Sequence, residues 1–476
     1  MGPPKRVALN YSLKNIPIPT HTDYMKRIIE MVERLLKRMR WRAFYYLRNS
    51  TGNDDLTDNG LCDAEHYGLP SRRCPPQVEE MRAFESDMMK LIEGIKFRRS
   101  CDSFQDVLRN DVNRIRSSKA IFVSADKTRN LYELSKEQYN KLLTHNITKT
   151  CKLAPDDAFN VVNTKAQEIA NDLDIANRMD VMAKAEAFIT LKDHKDNFEN
   201  SLPCRLINPA KSNLGIISKQ ILDDMNQKLI KKLEVTIWKN SAAVIEWFRS
   251  IERKDRCTFI SFDIVNFYPS ISEKLLDEAL DFACSLIDIP DEDIRIIRHS
   301  RQSLLFAKER TWMKKDGNGL FDVTMGSYDG AELCELIGIY ALADLSNDLP
   351  KQDMGLYRDD GLMVCRNVPG SKADRIRKNI TKRFGDLGLK ITIQSNLKVA
   401  NFLDLTFDLN NSKYYPYRKP NDNPTYINVL SNHPPSILRN LPAAVSRRLT
   451  DNSTDRDIFM QAAPLYEEAL KASVYR

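Results

Sequence analysis

The chain has 476 residues, 42% of them apolar and 29% charged, which predicts a globular protein with an ample core and about two or three structural modules. Lysine and arginine number 72 against 65 acidic residues, so the net charge is +7. This modest excess favours nucleic acid as a partner without establishing it. No apolar run reaches the ~20 residues that a membrane-spanning helix needs, and the start MGPPKRVALN has no hydrophobic signal core, so we expect neither a secreted nor a membrane-spanning protein.

The cysteines predict an intracellular protein. Nine of them are scattered without a C-x-x-C pair, a pattern typical of reduced thiols. Cys62, His66 and Cys74 lie close together in the chain, but a fourth ligand at zinc-finger spacing is missing. We therefore do not expect a metal there.

The first 180 residues are predicted to be mainly helical. After a cap-like Thr-His-Thr-Asp entry, a helix begins near Met25 and carries apolar residues at helical spacing. Basic residues and aromatic residues alternate at its end, in the segment LKRMRWRAFYY. Such a mixture suits nucleic acid, but an amphipathic helix with core aromatics explains it equally well. The polar segment RNSTGNDDLTDNG is the predicted loop.

Two apolar segments near residue 187 predict a hairpin. In AFITLKDHKDNFENSLPCRLINPAKSN they flank a polar loop. The hairpin presents Lys192, Lys195, Arg205 and Lys211.

The segment CTFISFDIVNFYPSIS begins as a β-branched and aromatic strand, predicted over Cys257–Val265, with Asp263 near its end. Ser270 and Glu273 stand at capping-box spacing before an amphipathic helix. The predicted order is strand, carboxylate, turn and helix.

The rest of the chain alternates between strands and helices. A hairpin is predicted around KKDGNG, followed by an apolar helix that opens just after Gly326. The segment GLYRDDGLMV then predicts a hairpin, and a helix ending near Gly388 follows it. LKITI and ANFLDLTFDL are predicted to be two more strands. This alternation indicates an α+β fold, with an antiparallel sheet covered on one face by helices.

The pair Asp359–Asp360 has two interpretations. Asp-Gly between apolar runs is by itself an ordinary hairpin signal. If the Asp263 strand lies beside this hairpin, however, Asp263 and Asp359 can share metal ions. Two divalent metals about 3.5–4 Å apart activate an attacking oxygen and stabilise a leaving oxygen in phosphoryl transfer.

Several segments resemble a known family. SFDIVNFYPSI, MGSYDGAE, YRDDG, GLKITI and NFLDLTF resemble the successive palm motifs of reverse transcriptases. The flanking segments ADKTRNLY, ITLKDHKDNF, CRLINPAKS, YRKPNDNPTYI and SNHPPSI are similar to Penelope-like retroelement polymerases. The resemblance covers nearly the whole chain, most strongly residues 120–470.

The resemblance implies a right-hand polymerase of fingers, palm and thumb. Residues 1–180 would form a helical N-terminal extension and part of the fingers. Residues 181–410 would form fingers and palm with the polymerase site, and residues 411–476 a short thumb-like region. We expect an intracellular, nuclear protein that binds an RNA template, a DNA or RNA primer and dNTPs.

The resemblance also implies the catalytic residues. Asp263, Asp359 and Asp360 match the three carboxylates of the polymerase site, and the first two would be the principal ligands of two Mg²⁺ ions, or of Mn²⁺. The backbone carbonyl of Ile264 would complete the metal shell. Lys390 would protonate the leaving pyrophosphate.

Further residues would contact the nucleotide. Arg205 matches the arginine that lies against the incoming triphosphate; Lys192 would be a second phosphate contact and Lys195 a weaker one, unless these lysines simply belong to a solvated loop. Gly326 matches the glycine that lets the backbone approach template and nucleotide. Met325 stands before it where many retroviral enzymes carry glutamine. Tyr268 would pack beneath the deoxyribose, or else be a core aromatic beside Phe267.

The predicted function is RNA-directed DNA polymerase, with RNA-directed RNA polymerase and a domesticated, non-catalytic nucleic-acid-binding protein as alternatives. The position of Tyr268 is occupied by an aspartate in RNA polymerases that resemble this motif. The GIY-YIG nuclease pattern, which Penelope-like proteins often carry, does not occur before Arg476, and the thumb-like region is short. We therefore expect either a fragment or a polymerase that uses a supplied nick or DNA end.

Overall fold

The structure is a computed structural model. It describes residues 4–9, 14–50, 69, 73–97, 102–128, 130–195, 198–317, 319–418 and 424–475. Most of the predicted loop RNSTGNDDLTDNG lies outside these ranges, as do Cys62 and His66.

The N-terminal region is mainly helical, as predicted. Its helices are α1 (His21–Ser50), α2 (Arg82–Glu93), α3 (Ser103–Ser117), α4 (Lys136–Thr150) and α5 (Ala158–Asp172). The region also contains strands that the pattern did not predict: β1 (Lys5–Arg6), β2 (Ile121–Ser124), β3 (Leu131–Leu134) and β4 (Cys151–Leu153). The predicted cap of α1 is present, because the Thr20 hydroxyl accepts a hydrogen bond from the Asp23 backbone N at 3.2 Å.

The aromatic residues at the end of α1 divide between interior and surface. Trp41 is buried and stacks on Tyr45, with ring centroids 5.7 Å apart, whereas Tyr46 is exposed. Arg40 is held by Glu85 of α2, with Nη2 and Oε2 2.7 Å apart. Part of this aromatic cluster is therefore core, in line with the amphipathic-helix interpretation.

The predicted hairpin near residue 187 is present. It consists of β5 (Phe188–Leu191) and β6 (Cys204–Ile207), which pair antiparallel with Thr190 opposite Arg205, and a one-turn helix, α6 (Phe198–Ser201), lies between them. The helices α7 (Leu214–Leu233) and α8 (Ser241–Ser250) lead from this hairpin to the central sheet.

The central strand is β7 (Cys257–Ile264), as predicted to within one residue. The elements that follow it in the chain are α9 (Phe267–Ser270), α10 (Glu273–Leu286), α11 (Asp291–Ser300), β8 (Leu305–Ala307), β9 (Arg310–Lys314), α12 (Gly330–Leu345), β10 (Met354–Tyr357), β11 (Asp360–Arg366), α13 (Gly370–Asp386) and β12 (Ile391–Leu397). The central sheet has the strand order β10-β11-β7-β12, and its neighbours all pair antiparallel.

The C-terminal region begins with a small sheet of β13 (Val399–Phe402), β14 (Leu405–Asp408) and β15 (Lys413–Pro416). Two helices follow, α14 (Pro435–Asp451) and α15 (Arg456–Ala472). Short 3-10 turns occupy Glu79–Met81, Ala176–Arg178, Lys254–Arg256 and Lys351–Asp353.

The central sheet is buried on both faces. Ile260 and Phe262 of β7 face a core formed with α7, α10, α12 and α13. Phe259, on the opposite face of the same strand, packs with Phe248 of α8 and Phe407 of β14. The helices on the first face form the predicted helical layer, and the β13–β15 sheet and α8 cover the other face.

The fold class is α+β with an antiparallel palm-like sheet and a helical N-terminal region, as predicted. Two local predictions were wrong. The cap of α10 is Ser272, whose side chain accepts from the Leu275 backbone N at 3.1 Å, because Ser270 still belongs to α9. ANFLDLTFDL folds into the hairpin β13–β14 instead of one strand. The predicted turn at KKDGNG is present after β9, where the Lys314 backbone N donates to the Gly319 carbonyl oxygen at 2.9 Å. The boundaries at residues 180 and 410 stay predictions. Among the described residues, no helix is long and apolar enough to cross a membrane.

Candidate active site

The carboxylates meet at one end of the central sheet. Asp360, the first residue of β11, lies directly opposite Asp263 near the end of β7. Asp359 lies in the tight turn between β10 and β11, and its carbonyl oxygen accepts a hydrogen bond from the Ile264 backbone N at 2.9 Å. The hairpin that the sequence predicted therefore places Asp359 and Asp360 beside Asp263.

Two backbone features, at Arg358 and at Gly361, allow this tight turn and the close strand pairing beside it. Arg358 adopts a left-handed conformation with φ of 57°, which a two-residue hairpin turn requires. At Gly361 a Cβ would lie 2.1 Å from Cζ of Phe262 on the neighbouring strand. A side chain there would separate β11 from β7 and with it Asp360 from Asp263.

The electrostatics of the trio disfavour three negative charges. Burial, together with the negative charges of Asp359 and Asp263, raises the pKa of Asp360 to about 7. Burial also raises the pKa of Asp263, which shares a hydrogen bond with Asp360. Like charges this close do not ionise together without a counter-charge. A cation at the sheet end would supply that counter-charge.

Carboxylate oxygens are the ligands that Mg²⁺ prefers, and the Asp263, Asp359 and Asp360 set fits such an ion chemically. The Asp359 side chain is exposed, whereas Asp263 and Asp360 are half-buried. Within the described ranges, no three or more His, Cys, Asp or Glu side chains are already gathered around a common point.

Basic residues from two hairpins, β2–β3 and β5–β6, lie near these carboxylates. The positive charge of Lys127 counteracts the raised pKa of both Asp263 and Asp360, and that of Lys195 counteracts the raised pKa of Asp263. Burial, followed by the neighbouring charge of Arg205, lowers the pKa of Lys192. We call Lys127, Lys192, Lys195 and Arg205 the basic cluster.

Two carboxylates, Asp126 and Asp193, fix the segments that carry the basic cluster. Arg205 Nη1 lies 2.8 Å from Asp126 Oδ1, in an ion pair whose acid is 8% exposed. Asp193 Oδ2 accepts hydrogen bonds from the side chains of Thr128, Asn130 and Tyr132. These bonds connect the segment after β5 to β3 and to the loop before it. Asp126, Lys127 and Asp193 escaped the sequence reasoning, although ADKTRNLY and ITLKDHKDNF contain them.

Phe267 and Tyr268 differ in how deeply they are buried. Phe267 is 3% exposed within the palm core, whereas Tyr268 is half-buried at the edge of that core. Burial raises the pKa of Tyr268 to about 12, with smaller effects from Cys334, Arg358 and Asp359. The ring of Tyr268 therefore lies between the core and the carboxylate turn.

Gly326 and Lys390 lie at other edges of the site. Gly326 has a φ of +107°, and a Cβ there would lie 3.6 Å from the carbonyl oxygen of Asn208. A residue with a side chain would be strained by this backbone conformation. Lys390 is exposed just before β12, and its carbonyl oxygen accepts a hydrogen bond from the Val265 backbone N at 2.8 Å. Its backbone is thereby fixed one residue beyond the end of β7.

A buried ion pair that the sequence did not indicate lies at the start of α12, a few residues after Gly326. Arg301 Nη2 donates to Asp329 Oδ1, and both side chains are 1% exposed. Ser300 Oγ donates to Asp329 Oδ2 at 2.7 Å. Asp329 immediately precedes α12, so the pair fixes the point at which that helix begins.

Comparisons with known proteins give fold-level likenesses at low identity. No protein-family model and no curated protein matches the chain. Telomerase from Candida albicans, solved with a fragment of telomeric RNA, matches with 13% identity and a TM-score of 0.45, over 69% of this chain and 60% of that one. Apo telomerase from Candida tropicalis matches with 11% identity and a TM-score of 0.45, over 85% of this chain and 71% of that one.

The RNA-dependent RNA polymerase of a human picobirnavirus matches with 10% identity and a TM-score of 0.37, over 70% of this chain and 72% of that one. Likenesses of this size carry no argument about activity. The chain spans about 60% of the length of the Candida albicans telomerase.

Proposed function

We propose that the chain is an RNA-directed DNA polymerase of a Penelope-like retrotransposon, which extends a primer 3′-hydroxyl on an RNA template. The observation that carries the proposal is the register that sets Asp360 opposite Asp263, with Asp359 in the adjoining turn. A basic cluster facing such a trio suits a substrate with a triphosphate, because each cation can neutralise part of its charge.

In this reaction the primer 3′-oxygen attacks the α-phosphorus of the bound nucleotide. The bond from that phosphorus to the bridging oxygen breaks, and pyrophosphate leaves. When bound, two Mg²⁺ or Mn²⁺ ions would activate the attacking oxygen and stabilise the leaving one. Asp263, Asp359, Asp360 and the carbonyl oxygen of Ile264 would hold them.

The other residues would bind the triphosphate, protonate the leaving pyrophosphate and make room for the template. Arg205 and Lys192 would clamp the triphosphate, with Lys195 and Lys127 at the outer edge, because a guanidinium and ammonium groups bind phosphate oxygens directly. Lys390, exposed just before β12, would give its proton to the leaving pyrophosphate. Gly326 would let the template backbone approach closely.

An RNA-directed RNA polymerase is the second candidate, since both activities use the same carboxylates. Tyr268 favours DNA synthesis: if its half-buried ring, which packs against the core, lies beneath the sugar, a ribose 2′-hydroxyl would clash with it or be left without a partner. A polar group left without a partner costs about 1–3 kcal/mol. We place the activity in the nucleus, where a retrotransposon would find a nick or DNA end as primer.

Primer extension on an RNA template tests the proposal. The full chain is supplied with Mg²⁺ and with either dNTPs or NTPs, and Asp359→Asn serves as the matched inactive control. We expect extension with dNTPs that chelation abolishes and added Mg²⁺ restores. Extension with NTPs alone would favour the RNA polymerase, and nucleic-acid binding without extension would favour a non-catalytic protein.

A further inference from the structure

The place where α12 begins is packed against the ring of Tyr268. Gly330 is the first residue of α12 and is buried. A Cβ built on it would lie 3.2 Å from Cε1 of Tyr268, 3.2 Å from the carbonyl oxygen of Thr324 and 2.6 Å from Oγ of Ser327. No methyl group fits among these three neighbours unless at least one of them moves.

The backbone on the far side of this contact is fixed. The Thr324 carbonyl oxygen accepts hydrogen bonds from both N and Oγ of Ser327, at 3.2 and 3.1 Å. Asp329 is held by the buried Arg301 and by Ser300. The first turn of α12 therefore cannot retreat without breaking a buried ion pair, which is costly.

The ring of Tyr268 is the neighbour with room to move. Its helix, α9, is one turn long, and Asn266 before it and Pro269 within it are exposed. The Ser327 hydroxyl can rotate away from an added methyl, but the Tyr268 ring must tilt by a few tenths of an ångström. Because α12 lies behind it, the ring can tilt only away from the helix, in the direction of its open face.

From this geometry we infer that Gly330 is a specificity-determining position, which sets the Tyr268 ring at the depth that admits a deoxyribose and excludes a ribose. Arg301 and Asp329 are positioning residues, since they act through the start of α12. The inference rests on the proposed polymerase function and extends it to residues outside the carboxylate trio and the basic cluster.

The test is a double-mutant cycle of Gly330→Ala and Tyr268→Ala, with Gly338→Ala as matched control. Gly338 is buried in the same helix, and a Cβ there would lie at an ordinary 3.4 Å from Leu356 Cδ1. Single-nucleotide insertion is measured with dCTP and CTP. We expect Gly330→Ala to raise the KM for dCTP at least threefold and to change the deoxy-to-ribo ratio at least fivefold, with kcat at saturating dCTP within twofold.

Four outcomes separate the possibilities. In the Tyr268→Ala background, Gly330→Ala should leave the ratio within twofold, because the ring through which it acts is gone. An unchanged ratio in the single variant, or an equal change in both backgrounds, would overturn the inference. If Gly330→Ala does not fold, Ser327→Ala/Gly330→Ala removes the shortest contact; failure of that variant to fold would place the cost in α12 itself and also overturn it.

A second readout does not depend on activity. The protein is labelled with 3-fluorotyrosine, and the Tyr268 resonance is assigned with Tyr268→Phe. Gly330→Ala should shift this fluorine resonance, whereas Gly338→Ala should not. A chain that adds no nucleotide would contradict the proposed function alone, and the fluorine spectrum would still decide whether Gly330 positions the ring.

Discussion

Replacing Asp329 with alanine tests the buried ion pair behind the active-site loop. Asp329→Ala removes the acceptor of both Arg301 Nη2 and Ser300 Oγ. The guanidinium is left in a site where it is 1% exposed and where its Nη1 already has no hydrogen-bond partner among the described residues. Breaking a buried pair on one side costs about 3–5 kcal/mol, because the remaining charge is uncompensated.

The cost is measured as the free energy of unfolding in urea, together with hydrogen exchange of the α12 amides. Asp172→Ala is the matched control, since its ion pair with Arg295 has side chains 51% and 46% exposed. Exposed pairs contribute at most about 1 kcal/mol. We expect Asp329→Ala to destabilise the palm by several times more than Asp172→Ala and to speed exchange at the start of α12.

Removing both charges separates the pair from its neighbours. Arg301→Met/Asp329→Leu leaves no buried charge, so this double variant should regain most of the lost stability. Equal unfolding free energies for Asp329→Ala and Asp172→Ala would refute the reasoning. They would mean that water reaches the Arg301 guanidinium when its partner is removed.

Four further predictions concern the site and the pH dependence of stability. Asp359→Asn should abolish primer extension and leave template binding and melting temperature unchanged, since charge holds the metals; wild-type rates would refute its role as a ligand. Arg205→Ala should raise the KM for all four dNTPs about equally, because a guanidinium does not read base identity; lost RNA binding with an unchanged KM would place it on the template track. Tyr268→Ala should raise ribonucleotide incorporation about tenfold, equivalent to about 1.4 kcal/mol, whereas Phe267→Ala should mainly lower the unfolding free energy; unchanged sugar selectivity would remove the case for a DNA product. Burial lowers the pKa of His299 to about 4, so below about pH 6.5 the unfolded chain binds a proton that the folded chain does not bind. The stability present above pH 6.5 should therefore fall by up to about 3 kcal/mol as the pH drops to 4. His299→Gln should make the urea midpoint less dependent on pH over that range, and an unaltered slope would contradict this role of His299.

The sequence by itself determined the local elements around the site. The β-branched run that ends in Asp263 could only be a buried strand, and Asp-Gly between apolar segments specified the β10–β11 hairpin. Ile376, Ile380 and Phe384 recur at helical spacing, which predicted the helix α13. All of these signals are readable from sequence because each lies within a few consecutive residues. The cap of α10 was misplaced at Ser270 because the one-turn helix α9 leaves no periodic signal in so short a segment.

Tertiary structure alone decided what these elements do together. The pairing of Asp360 with Asp263 depends on the register between strands separated by almost a hundred residues, which no local pattern fixes. The raised pKa of Asp360 follows from that pairing and from burial, and the ion pair of Arg205 with Asp126 joins two hairpins that are distant in sequence. Burial, register and the partners of buried charges arise from packing, because each depends on atoms contributed by several remote segments at once.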